Sequence, residues 1–210
     1  MNDITARRLK KAAIALSVLL ILLVAVILVL KPFGSIASSL NRKGNNKAAY
    51  RVARISYFFD RDINSLESAA DYLANSITDS DDESRKKVIA CYEEVLSHKD
   101  VSLLKDDARE IDEYEQYLVK YMIWLALAER SEEAKEICLE EIESRQRTSF
   151  SRTFFAVLIA NGTEQDARWA KEQAKRIARE GPLYGTSDFE IQKTRESFLE
   201  IANKADKHES

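Results

Sequence analysis

Two histidines, two cysteines and one run of acids are the residues of this chain whose types could support chemistry. His98 stands at the C-terminal end of a predicted helix, where a cation complements the helix dipole, and His208 lies in the tail. Neither is close in sequence to a serine or cysteine that would complete a nucleophile–base pair. Cys91 and Cys138 fall on apolar faces of predicted helices, the usual setting of a buried free thiol. Neither sits in the Cys-x-x-Cys spacing of a zinc ligand pair, although in an oxidising compartment the two could pair if their helices are neighbours. The acids Asp79-Ser80-Asp81-Asp82-Glu83 invite a calcium reading. An EF-hand loop counted from Asp79 requires glycine at its sixth place and glutamate at its twelfth, and this chain has Ser84 and Ala90 there. No phosphate-cradling glycine loop, zinc helix or nucleophile elbow is present. The expectation is therefore no enzyme, no cofactor and no metal.

What remains is recognition chemistry. From Tyr114 to Ala128 the chain is aromatic and aliphatic at nearly every position after Tyr117, so this helix is a central core element or one wall of an apolar groove. Tyr114, Tyr117, Tyr121 and Trp124 share a helical stripe. Such rings combine large contact area with a polar tip, which suits a partner surface. These four are the candidate partner-binding residues.

The elements that must position them read as helices throughout. After Asn45, apolar residues recur every three or four positions and strand signals are absent. The expected helices begin near 46, 63, 80, 106, 131, 149, 163 and 188. Ser80 with Glu83 and Ser187 with Glu190 form capping-box patterns, Ser131 and Thr163 can cap, and Asn161-Gly162 and Gly181-Pro182 stop their helices. On the first of these helices Ala48, Val52, Ile55 and Phe59 form the apolar face. The expected class is all-α: about eight antiparallel, paired helices over 46–204, with a fraying tail over 205–210.

One internal echo stands out. Arg130-Ser131-Glu132-Glu133-Ala134-Lys135 recurs as Gly162-Thr163-Glu164-Gln165-Asp166-Ala167-Arg168, with Ala134 echoed at Ala167. An acidic helix start followed by small residues some two turns apart resembles the second helix of a tetratricopeptide repeat. Gly162, Ala167 and Ala174 match that motif's turn glycine and two small packing residues, and Ala134 matches one of them. Arg130 and Glu141 depart from it, and the Trp-Leu-Gly-Tyr portion of the first helix is missing. The resemblance covers about 121–180. It implies a tetratricopeptide-like α-α superhelix that binds another protein.

The N-terminal part sets the location. Residues 1–11 form a short basic tail. The run from Ala12 to Leu30 has no charge and Ser17 as its single hydroxyl, and Lys31 follows it. At about 1.5 Å rise per residue the run is about 28 Å long, close to the roughly 30 Å bilayer core. A transmembrane helix over 12–31 is expected, since the run exceeds the apolar core of a cleavable signal peptide. Residues 32–45 read as a linker, with Pro32 and Gly34 ending the span. Arg7, Arg8, Lys10 and Lys11 are packed tightly before the run, whereas Lys31, Arg42, Lys43 and Lys47 are spread out after it. The positive-inside rule then favours a cytoplasmic N-terminus and an extracytoplasmic domain.

Charge is unevenly spread. The chain carries −3 overall, and residues 60–210 carry −12. The stretch 32–59 holds Arg42, Lys43, Lys47, Arg51 and Arg54 and no acid. These five are candidate contacts to anionic headgroups, at about 1 kcal/mol each near the surface. The acidic body argues against nucleic acid, which needs a basic stripe. The parts together point to a single-pass protein adaptor at a cell membrane, in envelope or secretion-related assembly. The rival expectation is a structural subunit of an integral membrane complex, with the helical domain as a spacer.

Overall fold

The computed structural model describes residues 14, 16–20, 33–77, 81–99, 108–145, 148–181 and 187–204. Among the described residues there is no strand. The fold is built from α1 (Phe33–Arg42), α2 (Asn46–Asp60), α3 (Ile63–Ala74), α4 (Asp82–Ser97), α5 (Ala108–Leu127), α6 (Ser131–Arg145), α7 (Ser151–Asn161), α8 (Glu164–Glu180) and α9 (Asp188–Ala202). Two compact units divide the chain, Met1–Ser76 and Ile77–Ser210.

The membrane-span expectation over 12–31 falls mostly outside the described residues. Ile14 and 16–20 are helical, and Ile14, Leu16, Val18, Leu19 and Leu20 are exposed. Among the described residues no helix is long and apolar enough to cross a membrane.

In the first unit, α1 packs on α2 and α2 on α3. The expected linker contains α1, a full helix. Its three serines and Asn41 mask the helical spacing of Phe33, Ile36, Ala37 and Leu40, one apolar stripe at i, i+3, i+4 and i+7. Gly44, at φ 76°, takes the left-handed turn that an ordinary side chain resists. The Asn45 side chain caps α2 by accepting from the Ala48 amide at 3.3 Å.

The face of α2 also differs from expectation. Ala49, Ala53, Ser56 and Tyr57 are buried, while Ile55 and Phe59 are 44% and 50% exposed. Small residues let neighbouring helices approach closely: Ala37, Ala53 and Ala69 make one cluster, and Ser65 Oγ meets Ser56 Oγ at 3.0 Å. The larger stripe Ile55–Phe59 is turned outward as a consequence.

The second unit has a continuous core drawn from α4 to α9. Its packing follows a rule. α5 packs on α6, α7 on α8 and α8 on α9, and α5 also packs on α7 and α7 on α9. Paired helices stacked through every second element are compatible with a helical-repeat fold. The register of α6 and α8 agrees closely: buried Ala134, Lys135, Cys138 and Ile142 correspond in order to buried Asp166, Ala167, Ala170 and Ala174. Ala134 therefore corresponds to Asp166 and not to Ala167, a slip of one position from the sequence echo. The preceding turns explain the slip. Glu129 adopts φ 62° in the turn before α6, whereas α7 passes to α8 through Gly162. A Cβ on Gly162 would lie 2.6 Å from the Leu158 carbonyl oxygen and 2.7 Å from Asp166 Cβ, so the tighter turn requires glycine.

Thr163 and Ser187 cap their helices as expected, whereas Ser131, an expected cap, is the first residue of α6 itself. Thr163 and Asp166 form a reciprocal capping box on α8. Ser187 caps α9, accepting from the Glu190 amide at 3.3 Å. At α4 the cap is Asp81, which accepts from the Ser84 amide at 2.8 Å, in place of the expected Ser80. α3 ends at Ala74, and Asn75 takes its C-cap.

Candidate partner-binding face

α5 packs on α4, α6 and α7, and its residues divide by direction. Leu118, Met122 and Leu125 follow one another at helical spacing into the core. Most of the aromatic stripe belongs to this packed side. Tyr114 is buried, and its hydroxyl donates to Glu141 Oε1 on α6 at 3.1 Å. Tyr121 and Trp124 are half-buried against the core cluster. Burial raises the Tyr121 phenol above its ordinary value, and the nearby Glu93 and Glu133 carboxylates add to this.

Tyr117 lies at the seam with α4. Its ring centroid is 6.3 Å from that of Tyr92, and the ammonium groups of Lys120 and Lys99 lie 4.6 and 5.3 Å from its centroid. A desolvated cation over an aromatic ring is attracted by the ring quadrupole.

The adjacent face of α5 borders a cleft. Glu115, Val119 and Ile123 line a cleft of about 490 Å³ together with Ser149, Phe150 and Thr153 at the start of α7. Glu115 is buried at its wall and accepts from Ser149 Oγ at 2.7 Å. Asp112 and Lys120 supply charge at the rim and Ile123 is half-buried, while Val119 and Phe150 are buried core residues at the cleft floor. A second cleft of about 510 Å³ opens where α7 meets α9, between Arg152 and the α9 residues Ser197, Glu200 and Ile201, with Lys204 beyond them. Tyr114, Tyr117, Tyr121 and Trp124 line neither cleft. The clefts are hidden from sequence reading because their walls come from helices far apart in the chain; the local signal is the second apolar stripe Val119–Ile123.

The basic candidates occupy different parts of the first unit. Arg42 and Lys43 are exposed at the α1–α2 turn, and Lys47 and Arg51 are exposed on α2. Arg54 lies over the Tyr57 ring at 5.7 Å.

His98 forms the C-cap of α4, and His208 lies outside the described residues. Cys91 and Cys138 are buried and form no disulfide. Burial, assisted by Glu141, pushes the Cys138 thiol up to about 12, which keeps it protonated and unreactive near neutral pH. Among the described residues no group of three His, Cys, Asp or Glu side chains is placed to hold a metal ion.

A polar cluster that the sequence did not announce joins α6 to α8. Lys135 Nζ is 2.7 Å from Asp166 Oδ1 and 2.6 Å from Glu132 Oε1, and it lies 5.5 Å from the Trp169 ring centroid. Trp169 contacts Phe155 edge-on at 5.6 Å, and Phe155 contacts Phe198 at 6.4 Å. Side-chain contacts thus run from α6 through α8 and α7 to α9. This places the cluster in the frame that holds the clefts. Comparison with protein-family models, with curated proteins and with solved structures gave no match.

Proposed function

We propose that this chain is a membrane-anchored adaptor, a tetratricopeptide-like array that holds a segment of another protein close to a bilayer. The observation that carries partner binding is the placement of the two clefts. Both open between alternate helices and take part of their lining from α7, and a cleft between stacked helices suits an extended or helical segment. Half-buried Ile123 suits an apolar anchor of such a segment, with buried Val119 and Phe150 forming the floor beneath it, and Asp112 and Arg152 suit a charged rim.

The anchor in this reading is Ala12–Leu30. Supporting it are the absence of charge along the whole run and the exposure of Ile14, Leu16, Val18, Leu19 and Leu20, which point around the whole circumference of their helix. A helix apolar on all sides is matched by lipid and poorly by water. Tethering raises the local concentration of the captured protein at the membrane. The cytoplasmic N-terminus and extracytoplasmic domain follow from the tight basic group before the run.

Photo-crosslinking in native membranes tests the adaptor. A photoreactive residue at Ile123 or Ser197, one in each cleft, is expected to capture the same protein, and one at exposed Lys175 on α8 is not. Equal capture at all three positions would defeat the proposal. Carbonate extraction tests the anchor separately: the full chain, with its N-terminus intact, stays with the membrane pellet.

A further inference from the structure

The first unit carries an exposed stripe that its own packing leaves outside. Along α2, Lys47, Arg51, Ile55 and Phe58 recur at i, i+4, i+8 and i+11, and all are exposed, Phe58 to 66%. Phe59 lies beside them, stacked on Phe33 of α1 at 5.8 Å and meeting Phe58 edge-on at 5.4 Å. Ile36 extends the apolar patch on α1. One half of the stripe is thus basic and the other aromatic and aliphatic. Arg61 lies over the Phe58 ring at 5.9 Å, which adds a cation at the apolar end.

Chain continuity says where this end lies. Only Lys31 and Pro32 separate Phe33 from Leu30, the last residue of the uncharged run. The Phe33 Cα is therefore within about 11 Å of the end of that run. α1 and α2 are packed neighbours joined by the short turn at Lys43–Asn45, and the stacked pair shows Phe33 and Phe59 at the same end of that hairpin. Arg42 and Lys43 lie at the other end of α1. At the helical rise this is about 14 Å from Phe33.

We propose that the outer stripe of α2 docks on the lipid headgroup layer beside the anchor, with Ile55, Phe58 and Phe59 entering the acyl boundary and Arg51 and Lys47 reaching anionic phosphates. The inference rests on the anchor reading of Ala12–Leu30. A helix whose exposed stripe is apolar at one end and basic at the other can set its apolar end into this layer while its basic end meets anionic headgroups, and long basic side chains reach those headgroups while their stems cover apolar surface. The apolar patch then has an occupant that its covalent attachment holds within reach.

The test uses the full chain in vesicles of phosphatidylcholine and phosphatidylglycerol. The Phe58→Trp variant adds one emitter to the two native tryptophans, whose signal the unsubstituted chain supplies. The added emission is expected to be blue-shifted and quenched by lipids brominated near the headgroup, and less by lipids brominated near the chain end. Adding Ile55→Glu is expected to abolish that quenching with helicity and vesicle flotation retained. Flotation with unquenched added emission overturns the docking and leaves the anchor standing. Failure to float overturns the anchor instead. A blue shift that depends on protein concentration without bromolipid quenching would assign the stripe to a second copy and also overturn the docking.

Discussion

Lys135 on α6 and Asp166 on α8 form an ion pair at 2.7 Å with only 3% and 5% of each residue exposed. Burial pushes the Asp166 carboxyl up, but hydrogen bonds from Lys135, Thr163 and Ser131 outweigh it and hold the group at about 2, below its ordinary 3.8. For Lys135, burial lowers the ammonium and the bonds to Asp166 and Glu132 outweigh it, so its value is raised. Asp166 also completes the α8 capping box, accepting from the Thr163 amide and hydroxyl. One carboxylate therefore fixes both a helix start and the seam between two helix pairs.

The sign of the pH effect follows. Because the folded value lies below the unfolded one, the contribution is fully present above pH 3.8 and is lost as pH falls through about 2. Converted at about 1.36 kcal/mol per pH unit, the contribution is about 2 kcal/mol. Urea unfolding across this acid window is expected to show that loss in the native protein, and Asp166→Asn should flatten it. At neutral pH, Lys135→Met leaves a buried carboxylate without its cation and should cost about 3–5 kcal/mol. An unchanged unfolding midpoint in Lys135→Met would contradict the pair's role.

Tyr117 gives a different prediction because its ring, between Tyr92 and two lysines, is committed to the α4–α5 seam. Tyr117→Ala is expected to lower stability by about 1–3 kcal/mol through lost packing and cation–π contact. Tyr117→Phe keeps the ring and should recover most of it. Capture of a partner in the clefts, measured well below the melting temperature, should be the same in all three proteins.

The legible part of this chain is local. Thr163, Ser187 and Gly162 announce their helix ends because capping and tight turns are decided within a single helical turn. The core positions of α7 and α8, from Phe154 to Ala178, follow helical spacing directly. What sequence reading misses depends on partners distant in the chain. α1 is hidden because serine and asparagine dilute its four apolar positions. Spacing alone assigns the inward face of α2 to its larger residues, whereas close packing against Ala37 and Ala69 selects Ala53. Lys135 and Asp166 sit on different helix pairs, and each reads in sequence as an ordinary helix-start charge. The clefts share that difficulty, since Val119 and Phe150 meet only when α5 and α7 are stacked.

Cys138 offers a check on that core. Its thiol is fully buried and held protonated up to about 12, so a thiol reagent at neutral pH can reach it only when the chain opens. In a Cys91→Ala background, labelling should be slow and should accelerate with urea in step with loss of helicity. Fast labelling without denaturant would show that α6 opens independently of the rest of the unit.

The strongest separation of binding from folding is available at Thr153. This residue lines the α5–α7 cleft and is exposed on α7. Thr153→Trp should fill much of the cleft while changing stability by no more than about 0.5 kcal/mol, the usual range for surface positions. Capture from a photoreactive Ile123 should then fall roughly tenfold, which corresponds to about 1.4 kcal/mol of lost binding. The matching Lys175→Trp change on α8 lies away from both clefts and should leave capture intact. If both tryptophan variants retained full capture with unchanged melting, the partner would have to sit elsewhere, and the α5–α7 cleft would be a packing feature of the array.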